Sequence, residues 1–154
     1  MKPFSRCHPP DILFFSVVDS VTMTSQQAKQ GGDETILLVE DDDGVRRLVT
    51  QLVERLGYTV LTAPDSDAAL ETSEHHDSDI HLLLTDLVLP GLDGRGLAAK
   101  LKETRPEIKV LLMTGQSEDI MATAGIFRDG VHFLPKPFER EDLARKIREA
   151  LDDR

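Results

Sequence analysis

Residues 82–94 read Leu-Leu-Leu-Thr-Asp-Leu-Val-Leu-Pro-Gly-Leu-Asp-Gly. An apolar run with no polar alternation describes a strand buried on both faces, as in the middle of a parallel sheet. The run delivers one carboxylate, Asp86, and a Pro-Gly turn follows within five residues. A carboxylate at the end of such a strand sits on the rim of the sheet, where open α/β folds bind their ligands. Asp86 is therefore the first candidate for a reactive residue.

Working outward, strands and helices alternate on both sides. Residues 35–39 (TILLV) form a strand that runs into Glu40-Asp41-Asp42-Asp43. Val45, Leu48, Val49, Leu52, Val53 and Leu56 then recur at helical spacing, Asp42 or Asp43 suits the N-cap, and Gly57 suits the end. Residues 58–62 form a second strand. Pro64 and Ser66 open a weak helix that fades at His75-His76. The central strand covers 80–85, and a helix from about Gly94 with Leu97, Ala98 and Leu101 inward stops before Pro106. Residues 109–113 are a fourth strand, and Ser117 caps a short helix carrying Ile120, Met121 and Ala124. Residues 131–134 are a fifth strand, followed by a last helix from Glu139 with Leu143, Ile147, Ala150 and Leu151 on one face. Five such repeats with short links predict a parallel sheet covered by helices on both faces.

Composition narrows the function classes. The chain has 154 residues, 40% hydrophobic and 30% charged, and a net charge of −10. Residues 1–33 sum to zero charge, so residues 34–154 hold all of it, with 15 basic against 25 acidic side chains. No basic cluster interleaved with aromatics occurs, which argues against direct nucleic-acid binding. The single cysteine, Cys7, excludes an internal disulfide and fits a reducing cytoplasm. No run approaches the roughly 20 apolar residues of a membrane span. The apolar run 12–18 (ILFFSVV) only loosely imitates a signal peptide, so residues 1–33 read as a disordered leader and 34–154 as the folded domain. Met23 is an alternative start, which the intact mass of natively expressed protein decides.

Four strands end in chemically useful groups: Glu40 and Asp41, Asp86, Thr114, and Lys136. Parallel strands place all such ends on one edge. Carboxylates packed together either take up protons or bind a cation. An oxygen-only ligand set with few protein contacts suits Mg²⁺. A carboxylate is also a competent nucleophile toward phosphorus, giving an acyl phosphate. Lys136 and the Thr114 hydroxyl then suit phosphoryl oxygens. Taken singly, each of these residues is more often a cap or a solvated loop; their order along the chain is what carries the reading. The five histidines, 8, 75, 76, 81 and 132, lack metal-site spacing.

The segments LLVEDD (37–42), LLLTDLVLPGLDG (82–94), VLLMTG (110–115) and FLPKPF (133–138) resemble the receiver domain of two-component response regulators. The resemblance covers residues 35–152. It implies an α/β, flavodoxin-like (βα)5 three-layer sandwich with a five-stranded parallel sheet, order 2-1-3-4-5. It further implies that Asp86 accepts a phosphoryl group from a sensor histidine kinase or a histidine phosphotransfer protein. Glu40, Asp41, Asp86 and the Val88 backbone carbonyl would serve Mg²⁺. Thr114 and Lys136 would hold the phosphoryl group, Thr114 and Phe133 would form the switch, and the Lys136-Pro137 bond would be cis. The protein would signal by binding an output partner in the cytoplasm, with no separate catalytic domain.

Three features depart from the commonest pattern. Phe133 has no hydroxyl to reach Thr114, Pro135 lacks an N–H where a strand residue usually has one, and Gly115 leaves the site open beside Thr114. Competing readings are a phosphorylation-independent scaffold, a small-molecule phosphatase working through an aspartyl phosphate, and a flavin-binding module. The phosphatase reading lacks the Asp-x-Asp at the first strand and a covering cap. The flavin reading lacks a hydroxyl- and Gly-rich phosphate loop, because an acidic run occupies that place.

Overall fold

The computed structural model describes residues 32–115 and 130–153. In chain order the elements are β1 (Thr35–Val39), α1 (Asp43–Arg55), β2 (Thr59–Ala63), α2 (Ser66–His75), β3 (Leu82–Asp86), α3 (Gly94–Thr104), β4 (Lys109–Thr114), β5 (Val131–Pro135) and α4 (Arg140–Asp152). The expected helix at Ser117 lies outside the described residues. All strand pairs are parallel and the sheet order is β2-β1-β3-β4-β5, the flavodoxin-like order.

Side-chain alternation along the strands divides the core into two layers. Leu37, Val39, Leu83, Val110, Leu112 and Phe133 face Ala69 of α2 and Leu97, Ala98 and Leu101 of α3. Ile36, Leu38, Leu82, Leu84, Leu111, Met113 and Leu134 face Val49 and Val53 of α1 and Leu143, Ile147 and Ala150 of α4. The central strand β3 is buried at every position, Asp86 included. That explains its unbroken apolar sequence.

Local chemistry sets the helix boundaries. Asp42, Asp65 and Asp93 are the N-caps of α1, α2 and α3, and their carboxylates accept N–H groups of Val45, Ala68 and Gly96 at 2.8–2.9 Å. Gly57 ends the turn after α1 with φ +101°, and a Cβ there would meet the carbonyl oxygen of Gly32. Leu48, expected on the inner stripe, is 57% exposed. It lies about 100° around the helix from Val49, beyond the buried stripe. Expected strand boundaries shift by up to two residues. β2 runs one residue later than expected, and β3 starts at Leu82 and includes Asp86.

The last strand of the sheet, β5, ends in Pro135, whose partner on β4 is Thr114. The next residue, Lys136, donates its N–H to the Thr114 carbonyl at 2.6 Å, and the Lys136-Pro137 bond is cis, as expected.

Candidate functional site

Three strand ends bring their acids together at one edge. Glu40 follows β1, Asp41 follows Glu40, and Asp86 closes β3. One carboxylate oxygen from each lies within 4.8 Å of the others. Glu40 and Asp86 are buried and Asp41 is exposed, so the cluster opens to solvent on one side. Lys136 reaches into it after β5, with its Nζ 2.5 Å from Asp86 Oδ1 and 3.2 Å from Glu40 Oε2. Thr114 is 5% exposed at the end of β4. An open pocket of about 500 Å³ is lined by these five residues together with Leu87, Val88, Met113 and Gly115. All the residues expected at the site from sequence, apart from the buried ring of Phe133, therefore share one cavity.

The electrostatics are strained in a useful way. Burial, then the hydrogen bond and charge of Asp86, raise the pKa of Glu40 against the opposing pull of the Asp42 N–H and Lys136. Burial lowers the pKa of Lys136, but the hydrogen bond and charge of Asp86, backed by Glu40, outweigh it and the pKa is raised. One ammonium faces two buried acids plus an exposed one. The arrangement has room for a second cation, and its all-oxygen donor set fits a hard divalent ion.

The acidic run after β1 is partitioned by task. Asp41 joins the cluster, and Asp42 caps α1 while its N–H donates to Glu40 Oε1 at 3.2 Å. Asp43 pairs with Arg46. Arg46 also donates from Nη1 to the Glu40 carbonyl at 2.8 Å, which ties the first turn of α1 to the acid loop. Sequence reading missed this role. An arginine six residues beyond the acid, one helical turn into α1, was the available signal.

The loop after Asp86 is held close. Leu87 donates its N–H to Met113 and Gly94 donates to Leu87, each at 2.9 Å. A Cβ at Gly94 would collide with the Asp86 carbonyl, so only glycine lets α3 begin there. Val88 turns its side chain outward, 81% exposed, while the residue lines the pocket. A Cβ at Gly115 would meet nothing within 4 Å, consistent with an open mouth. Phe133, by contrast, is 3% exposed and packs in the core on the α2 and α3 side. Two histidines away from the site have structural partners: His81 Nδ1 accepts the Thr35 N–H at 3.0 Å, and His132 Nε2 sits 2.9 Å from Asp153.

Residues 36–148 match the response regulator receiver domain. The chain belongs to that family. This receiver domain is 33% identical over 116 residues to the response regulator receiver protein CpdR of Brucella abortus, covering 75% of this chain and 95% of CpdR. It is 36% identical over 121 residues, 79% of this chain, to the sensor kinase CckA of the same organism, of which that stretch is 13%. It likewise spans 24% of the transcriptional regulator NtrC of Azospirillum brasilense, at 31% identity over 77% of this chain. Among solved structures, the receiver domain of the hybrid histidine kinase CckA superposes with a TM-score of 0.65 at 34% identity, over 77% of this chain and 99% of that one. The chemotaxis protein CheY4 of Vibrio cholerae shares the fold at a TM-score of 0.68 and 21% identity, over 78% of this chain and all of that one.

Proposed function

We propose that this receiver domain is a phosphorylation switch in a two-component relay, with Asp86 as phosphoacceptor. The observation that carries the reading is the convergence of Glu40, Asp41 and Asp86 within 4.8 Å, with Lys136 on Asp86. An Asp86 carboxylate oxygen attacks the phosphorus of a phosphohistidine on a kinase or phosphotransfer protein. The N–P bond breaks and the imidazole leaves as an acyl phosphate forms on Asp86.

Glu40, Asp41, Asp86 and the Val88 carbonyl would hold Mg²⁺, which offsets phosphoryl charge when bound. Lys136 moves from pairing two carboxylates to pairing one phosphoryl oxygen. The Thr114 hydroxyl donates to another, which draws the end of β4 toward Asp86. That shift biases the packing of Phe133, whose ring is its only means of responding. Output is binding of a partner protein in the cytoplasm. Similarity to the response regulator receiver protein CpdR over 95% of its length supports the receiver reading. No helix among the described residues is long and apolar enough to cross a membrane.

Intact mass after incubation with Mg²⁺ and a small acyl phosphate tests the reading. One phosphoryl group is expected on the wild type, none on Asp86→Asn, and none without Mg²⁺. No gain under any condition would leave the phosphorylation-independent scaffold as the function.

A further inference from the structure

We infer that Ser66 is a positioning residue for the loop that follows Asp86, holding Val88 where its carbonyl can serve the metal. The inference rests on the proposed function for the metal, but not for the loop. Ser66 opens α2, yet it does not cap that helix, because Asp65 already accepts the Ala68 N–H at 2.8 Å. Its hydroxyl instead crosses to the loop of the next strand–helix unit and donates to the Leu92 carbonyl at 2.5 Å, 26 residues away. Ser66 is 3% exposed, so no water readily replaces the hydroxyl once it is removed.

The tie falls where the loop needs it. Residues 87–93 are pinned at their start by Leu87 to Met113 and at their end by Gly94 to Leu87 and by the Asp93 cap. The arc between carries Pro90 and Gly91, the latter at φ +80°, and the outward-facing Val88. Leu89 tucks into the core with 6% exposure, and Ser66 fixes the far limb at Leu92. With both limbs fixed, the Val88 backbone has one position on the pocket wall. Without the Ser66 tie, the arc between the pinned ends at Leu87 and Gly94 can shift, and a carbonyl that moves away from a hard cation with strict geometric demands loses most of its contribution.

The test uses the full chain as wild type, Ser66→Ala, Ser66→Thr and Ser73→Ala. Ser73 is the matched control: it lies on the same helix, is 5% exposed, and its hydroxyl oxygen accepts the Arg105 Nε–H at 2.9 Å, at the opposite end of α2 from the loop. Two quantities are read by NMR: exchange of the amides of residues 87–89 and 91–93 without metal, and Mg²⁺ affinity by titration. Ser66→Ala is expected to speed exchange in the loop and weaken Mg²⁺ binding roughly three- to tenfold, the loss of one buried hydrogen bond. Ser66→Thr, which keeps the hydroxyl, should recover both in part, and Ser73→Ala should change neither. Wild-type exchange and affinity in Ser66→Ala, or an equal loss of affinity in Ser73→Ala, would overturn the inference. A wild type that binds no Mg²⁺ sinks the metal reading, and loop exchange alone then decides whether Ser66 positions the loop.

Discussion

The two edges of the sheet handle charge in opposite ways. At the edge where the strands begin, two part-exposed arginines hold neighbouring groups together. Arg148 reaches Glu34 at 3.1 Å, Asp152 at 2.6 Å and the Tyr58 hydroxyl at 3.4 Å. Arg105 closes the end of α2 by donating to the Ser73, His76 and Ser78 carbonyls. A cavity of about 490 Å³ lies there too, lined by Glu34, Ile80, His81, Arg105 and Lys109. At the edge where the strands end, two buried acids face one lysine. Cavity volume does not separate the two edges. Buried charge does: among the described residues the buried charged side chains are Glu40 and Asp86, and they mark the edge where binding a cation or moving a phosphoryl group releases repulsion instead of creating it.

The sharpest break in this contrast is Lys136→Ala, which removes the cation that faces the two buried carboxylates. The rate of phosphoryl gain on Asp86 should fall by about 100-fold, read as intact mass against time at fixed donor. Asp41→Asn removes the exposed member of the acid cluster, and Mg²⁺ affinity in a titration should drop by roughly tenfold. At the opposite edge, Arg148→Ala should cost about 1 kcal/mol in denaturant unfolding, a modest figure because the network is part exposed. It should leave the phosphorylation rate unchanged, and a slower rate would show that the edges are coupled.

The smallest effect has a sign of its own. The folded state raises the pKa of Glu40, so its charged form opposes folding above that pKa, and acidification through it restores the stability. Glu40→Gln should therefore stabilise the metal-free protein by about 1 kcal/mol, or roughly 4 °C in Tm, near neutral pH. The gain should shrink as pH falls through the folded pKa of Glu40 and vanish when wild type is protonated. A gain independent of pH would mean that packing, and not charge, separates the two proteins.

Much of this was legible in the sequence because it is local. The unbroken apolar run of β3, the Asp cap before α1 and the glycine after it each state their structure within a few residues. The acid cluster was legible for a topological reason: parallel strands bring Glu40, Asp86 and Lys136 to one edge whatever lies between them. Arg105 on the α2 carbonyls, Ser66 on Leu92 and Arg148 on Glu34 were not legible. Each joins residues that no periodicity links, and each is an ordinary polar residue until the fold supplies its partner. Leu48 failed for a finer reason, since a helical stripe has a width that spacing alone overstates.

Pro135 has a consequence beyond the site. The Lys136 N–H turns inward to Thr114, and successive N–H groups on a strand point to opposite sides, so the group that proline lacks would have pointed away from the sheet. A further strand aligning along the outer side of β5 would find no donor at that position. Next to the residues proposed to carry the phosphoryl group, the sheet thus ends in a residue that discourages another chain from extending it, a safeguard against edge-to-edge aggregation.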